Sequence, residues 1–405
     1  MKCACGKRLP SMAIEKKTKS KITEKTNKKN TKSNASTKTD NGSDKLENSK
    51  LHHKMNAQKT KKKIGLALQG GGAHGSFAWG IIDKLLETDE FEILGVSGSS
   101  AGGMNAACVA QGLGSGNAQD ARDLLNRYWS CMSKLASELS FSDYNMFDKM
   151  DNNPNLRDRF SNKIKNFFFS YAMHHTAPYE FNPLNINPFK DFLSDFFDYD
   201  LIRQQDKIKL FLATTHVKTG KIKVFNNRDA SADVLMATAC LPELFQAVEI
   251  DGEHYWDGGF IANPAIYPII NECDTQDIFV VQLRRSNIDY IPKTREEISD
   301  RFKEITFNSC LLREMRAIHF ITKLIDKGII QDPSMKRLNM HVIQNDSAFD
   351  GLNMSSALNT DWEFISRLFN AGRQTADNWL NQNFDKVNKT LNIDDSLNNA
   401  FSTFI

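Results

Sequence analysis

The sequence predicts a three-layer α/β domain on a mainly parallel sheet, and three observations lead there. Two short apolar runs, residues 64–68 and 91–96, end in glycine-rich loops and read as buried parallel strands. Each precedes a helical pattern: Phe77, Ala78, Ile81, Ile82, Leu85 and Leu86 share one stripe after the first, and residues 104–113 follow the second. Strand, loop and helix therefore occur twice within about 50 residues, the order that builds parallel layers.

Taken in order, residues 1–63 come first and differ from everything after them. They hold 19 Lys+Arg against 5 Asp+Glu, a balance of +14, while the remaining chain carries −11 and the whole +3. With little apolar content beyond residues such as Ile14 and Ile22, the segment cannot offset the entropy of ordering and is expected to be disordered. Its charge suits anionic lipid or nucleic acid, though no specific nucleic acid is expected, and a solubilising or export-related tail is the alternative.

The α/β body is expected over residues 64–290, interrupted by an insertion at about 115–200. Eleven of the 27 Phe lie between Phe141 and Phe197, interleaved with Asn, Asp and Pro, which suggests a helical cap. Most of these rings are expected in a core, a few lining a ligand site. Residues 209–217 and 222–225 form a hairpin around Lys218-Thr-Gly-Lys221, and 234–239 a short helix. Residues 245–250 and 254–256 flank the turn dipeptide Asp251-Gly252. Residues 278–283 make another buried strand. Helical periodicity at 296–327 and 362–380, with a short strand near 340–343, marks residues 291–405 as a C-terminal helical region packed on that body.

Bulk properties narrow the class. Hydrophobic residues are 40% and charged residues 25%, ordinary for a globular protein. No apolar run reaches the roughly 18–20 residues that span a bilayer, and no secretory h-region opens the sequence. Seven scattered cysteines fit reduced thiols better than a disulfide framework. Cys3 and Cys5 are read as free thiols, with metal binding or lipidation as rivals. A cytoplasmic location is expected, with peripheral membrane attachment or signal-less export left open.

Chemistry concentrates in three places. Gly98-Ser99-Ser100-Ala101-Gly102 matches G-x-S-x-G between a strand and a helix, the context of a nucleophile elbow. The turn lifts the Ser100 hydroxyl above the helix N-terminus, and side chains at 98 and 102 would collide, so glycine is required at both. Gly70-Gly71-Gly72-Ala73-His74-Gly75 is a second strand-to-helix loop, whose free N–H groups make an anion-binding concavity. In an acyl hydrolase, Gly71, Gly72 and Ala73 would form the oxyanion hole. Gly70, Gly72 and Gly75 also match a dinucleotide loop formally, but no acidic residue closes a second strand as that loop requires. Asp257-Gly258-Gly259 completes the set. A serine hydroxyl needs a base, and none of nine histidines stands in a recognisable motif, although His319 or His341 would suit a Ser…Asp…His order.

These three motifs, in this order and spacing, closely resemble the patatin-like phospholipases over roughly residues 64–283. The resemblance implies a Ser–Asp dyad, with Ser100 as nucleophile, Asp257 as base and the loop from Gly70 to Gly75 as oxyanion hole. The stretch Ala237-Thr-Ala-Cys-Leu-Pro242 resembles the family's approach to its Asp. His74 departs from the family's more usual Arg or Lys; a neutral His there could donate a hydrogen bond or act as a secondary base. An Asp base works near neutrality only when poorly solvated, and Trp256 and Phe260 could wall it. The expected reaction is hydrolysis of phospholipid or lysophospholipid esters at a membrane surface through an acyl-serine, with no metal or cofactor. A catalytically silent membrane-binding module and a nucleotide-binding α/β protein are the rival readings.

Overall fold

The computed structural model describes residues 60–147, 176–283, 288–352 and 355–389. The expectations for the basic tail through residue 59, for Cys3 and Cys5, and for the phenylalanines at 160 and 167–169 lie outside them.

The chain opens with β1 (Lys62–Leu68), α1 (Gly75–Thr88), β2 (Phe91–Gly98) and α2 (Ala101–Ser115). The long α3 (Ala118–Phe147) and, later, α4 (Pro188–Phe196) occupy the insertion. Then come β3 (Lys209–His216), β4 (Ile222–Asn226), α5 (Ala232–Thr238), β5 (Val248–Ile250) and β6 (Glu253–Asp257). The chain continues through β7 (Asp277–Val281), α6 (Arg295–Asp326), β8 (Asn339–Ile343) and α7 (Trp362–Asn383). The strands form one sheet ordered β5-β6-β3-β2-β1-β7-β8, with β4 paired to β3. Pairs among β3, β2, β1, β7 and β8 are parallel, and those made by β4, β5 and β6 antiparallel. The mainly parallel sheet is as the sequence predicts; β8 extends that sheet at its far edge.

Alternation along the strands sorts residues into two layers. Ile64, Leu66, Leu68, Phe279 and Val281 join α1, α2, α3 and α7 in one core. Ala67, Ile278, Val280 and Met340 face Leu311, Met315 and Ile318 of α6. Helix α7 lies close on α1, because a Cβ at Gly80 would overlap the Phe369 carbonyl and one at Gly372 the Phe77 carbonyl. Asp83 and Glu87 of α1 pair there with Arg122 of α3 and Arg373 of α7. In the insertion, Phe192, Phe196 and Phe197 are buried around Tyr128, whereas Phe181 is largely exposed.

The end of β3 sets up the site. β4 occupies one edge of β3 from Phe211 to Thr215, so β2 and β6 must share the other. β2 pairs up to Gly98 opposite Leu212, and β6 takes over with Asp257 opposite Thr214. The ends of two strands therefore abut along one neighbour, about 7 Å apart at two residues' rise.

Candidate active site

Ser100 leaves β2 with φ 54° and ψ −129° and caps the N-terminus of α2. A non-glycine residue in this region carries about 1–3 kcal/mol of strain, which the surroundings must hold. They do so through close packing and backbone bonds. A Cβ on Gly98 would overlap the Gly102 backbone, and one on Gly102 the Leu68 carbonyl, so both glycines are required by contact. The Ser100 N–H donates to the Thr238 carbonyl at 2.8 Å, and the Gly102 N–H to the Ser99 carbonyl at 2.9 Å.

Asp257 ends β6 and is wholly buried. Its Oδ1 accepts the Gly259 N–H at 2.6 Å, its N–H donates to the Cys240 carbonyl at 2.8 Å, and its carbonyl accepts the Thr215 hydroxyl at 2.7 Å. Gly258 lies against the Ala213 carbonyl, with the Ser99 hydroxyl 3.0 Å from where a Cβ would sit. Gly259 lies against the Phe307 ring, which packs on Phe260 at 5.1 Å between centroids. Neither glycine has room for a side chain.

The glycine loop lies beside the elbow. Gly70 is packed against the Ser99 carbonyl, and a Cβ on it would approach the Ser100 Cβ to 2.8 Å. Its own N–H donates to Asn263 Oδ1 at 2.7 Å. Among the described residues no hydrogen bond engages the N–H of Gly71 or Gly72. Gly72 has φ +59°, a conformation suited to glycine, and sits beneath the Ala357 carbonyl of the turn Ser355–Leu358. Ala73 and Gly75 lead into α1, and Gly75 abuts Ala101 of the elbow helix. His74 is buried against Phe349 and Phe364, with Nε2 2.8 Å from the Ser356 hydroxyl.

The histidines weighed as bases fall elsewhere. His341 sits on β8, three strand spacings or about 14 Å from β2, and its Nε2 lies 2.7 Å from Asp277 Oδ1. His319 is twelve residues beyond Phe307 on α6, roughly 18 Å along the helix. Cys240 is buried beside the aspartate; burial chiefly, with the nearby Asp257 charge, pushes its thiol up to about 12. An open concavity of about 570 Å³, lined by Gln111, Arg127, Tyr199 and Arg203, lies at the far end of α2 from Ser100.

Four further participants are given no role by the sequence: Ser99 and Thr238, which stand inside the elbow motif and the Ala237–Pro242 stretch, and Asn263 and Ser356, which lie in no motif. Of the last two, only Asn263 has a local hint, as a polar residue before proline six positions after Asp257 in an otherwise apolar stretch. No helix among the described residues is long and apolar enough to cross a membrane.

Fold and site together define an α/β protein whose strained serine stands between a parallel strand and a helix, beside a glycine loop and a buried aspartate. The chain belongs to the patatin-like phospholipase family, whose sequence model matches residues 66–270. The activity class that goes with this family is lipid acyl hydrolysis. Among solved structures it is similar to VipD from Legionella pneumophila, at 17% identity over 77% of this chain and 67% of that one, with TM-score 0.31. It is also similar to the type III effector protein ExoU, at 17% identity and TM-score 0.29, covering 78% of this chain. ExoU of Pseudomonas aeruginosa in complex with SpcU gives 13% identity, 82% of this chain and TM-score 0.31. The chain spans about half the length of ExoU, 53% and 54% in the two structures. No curated protein matches.

Proposed function

We propose that this protein hydrolyses fatty-acyl esters of phospholipids or lysophospholipids through an acyl-Ser100 intermediate, with Asp257 as the base. The observation that carries the reading is the strained serine just beyond the end of β2, the strand end that abuts the end of β6 where Asp257 is buried. In acylation the Ser100 hydroxyl proton passes to the Asp257 carboxylate as Oγ bonds the ester carbonyl carbon. The carbonyl π pair moves onto oxygen, which the N–H groups of Gly71, Gly72 and Ala73 would receive beside the α2 N-terminus. As the tetrahedral centre collapses, the C–O bond to the leaving alcohol breaks, and that oxygen takes the proton from Asp257. Water then attacks the acyl-serine, again giving its proton to Asp257, and Ser100 leaves with it. The Gly259 N–H fixes the carboxylate's orientation through Oδ1.

A fluorophosphonate probe and an ester panel test this reading. The wild-type chain should be labelled at Ser100 and should turn over phospholipid, lysophospholipid or short-chain esters, while a folded Ser100→Ala variant does neither. Retained turnover in Ser100→Ala would refute the nucleophile assignment, and an unlabelled, inactive wild type would favour a silent membrane-binding module.

A further inference from the structure

The strap that follows Asp257 returns to touch both of the other motifs. The Ser99 hydroxyl donates to the Ala262 carbonyl at 2.5 Å. One residue later, Asn263 Oδ1 accepts the Gly70 N–H at 2.7 Å, and its Nδ2 donates to the Gly70 carbonyl at 3.5 Å. Ser99 and Asn263 are wholly buried. Bonds between such groups are costly to leave unmade, because no water replaces the lost partner. Residues 257–263 thus hold the aspartate at one end and, at the other, the elbow through Ser99 and the glycine loop through Gly70.

We propose that Asn263, seconded by Ser99, is a positioning residue that sets the glycine loop against the nucleophile; this rests on Ser100 and Asp257 acting as the dyad. Asn263 spends its amide on the Gly70 peptide and so acts through that peptide. By holding the Gly70 N–H at 2.7 Å and, more loosely, its carbonyl at 3.5 Å, it contacts the two peptide units on either side of the Gly70 Cα and so sets the direction from which Gly71 and Gly72 continue. Gly70 also packs on the Ser99 carbonyl and close to the Ser100 Cβ, so a shift of the loop alters its placement relative to the nucleophile. A displacement of about 1 Å in such a site costs on the order of 10²-fold in rate. The loss should fall on the charged tetrahedral state, which needs the loop's N–H groups, and not on substrate binding.

The test measures Asn263→Ala and Ser99→Ala in the full chain with a soluble short-chain ester, well below each variant's melting temperature. Two acyl-chain ketones serve as probes: a trifluoromethyl ketone, which adds reversibly to the serine and places charge on the former carbonyl oxygen, and its methyl ketone analogue, which does not. Asn263→Ala should lose about 10²-fold in kcat with KM little changed. Its affinity for the trifluoromethyl ketone should fall in parallel, with methyl ketone affinity unaltered. Ser99→Ala should show the same pattern with a smaller loss. Wild-type kcat in folded Asn263→Ala, or equal loss of affinity for both ketones, would overturn the proposal. If Asn263→Ala does not fold, Ser99→Ala decides alone by the same criteria. Ser100→Ala and Asp257→Asn run alongside: activity surviving in them would refute the dyad, whereas their inactivity beside an unimpaired Asn263→Ala would refute only the positioning role.

Discussion

The backbone N–H groups of Ser100 and Asp257 are both taken by one three-residue stretch. Ser100 donates to the Thr238 carbonyl and Asp257 to the Cys240 carbonyl, each at 2.8 Å. The stretch is itself tied down, because the Thr238 hydroxyl donates to the Ala213 carbonyl and the Cys240 thiol to the Gln246 carbonyl. Two residues 157 positions apart in sequence are therefore spaced by a short rigid segment at the end of α5. The spacing belongs to the backbone, so side-chain substitutions at 100 and 257 should probe chemistry without shifting the frame.

Asp257→Asn follows from this. The amide keeps an oxygen for the Gly259 N–H but cannot take a proton, so turnover should fall by the roughly 10²–10⁴-fold typical of a lost general base. His341→Ala and His319→Ala should cost far less in kcat, since neither ring comes near the elbow. The His341 variant should instead melt earlier, because Asp277 then loses a buried partner. Steady-state kinetics of the three variants, with melting curves, check it. A histidine variant as impaired as Asp257→Asn, with folding intact, would restore a triad.

His74 should matter through Ser356 and not as a charge. The pair joins the glycine loop to the turn Ser355–Leu358, which also covers Gly72 and lies beyond the residues matched by the family model. Ser356→Ala and His74→Ala should each lower kcat by about 10-fold, and the double variant should lose little more, because both break one link. His74→Arg should not exceed wild type, as a buried site would have to take in an unneeded charge. Additive losses in the double-mutant cycle would show that the two residues act separately.

The distinction between local and long-range pattern explains what the sequence disclosed. Elbow and loop glycines are dictated by turn geometry within a few residues, so Gly70, Gly98 and Gly102 stand out in a linear reading. Helix α6 was legible to within a residue or two, because its periodicity is a local signal. The brace from Asn263 to Gly70 spans 193 positions and leaves no periodicity to detect. Nor could the sequence show that β6 succeeds β2 on the edge of β3, since alternation within a strand does not name its neighbour. Residues 340–343 read as a strand, but their place at the edge of the main sheet follows only from pairing with β7.

Alkaline pH should loosen the fold through its buried thiols. Burial, which disfavours the thiolate, pushes Cys273 up to about 11 and Cys240 up to about 12, and raises Cys108 further still. A group raised in the folded state contributes stability that is complete below its unfolded value, about 8.5 for a thiol, and is lost as pH rises towards the folded one. The melting temperature should thus decline from about pH 9 upward, and less steeply in Cys240→Ala. Melts between pH 7 and 10.5 check this; identical slopes for the two proteins would remove Cys240 from the account. Below pH 8 these thiols should react slowly with alkylating reagents until the protein unfolds.

The last prediction concerns residues 1–63, whose balance of +14 contrasts with −11 in the rest of the chain. An anionic bilayer should repel the body and attract this segment. Each Lys or Arg near such a surface is worth about 1 kcal/mol, decaying over a Debye length of about 10 Å at 0.1 M salt. Engagement of a few of the 19 would therefore outweigh the body's repulsion. Removing residues 1–59 should weaken co-sedimentation with anionic vesicles and flatten its salt dependence. Turnover of a soluble short-chain ester should not change, because β1 begins at Lys62 and the glycine loop at Gly70. Phospholipid hydrolysis should then fall only on anionic vesicles and recover when substrate is presented in neutral micelles. Equal vesicle binding by the full-length and shortened proteins would assign the segment a role in solubility or export, and recruitment to lipid would have to come from the body itself.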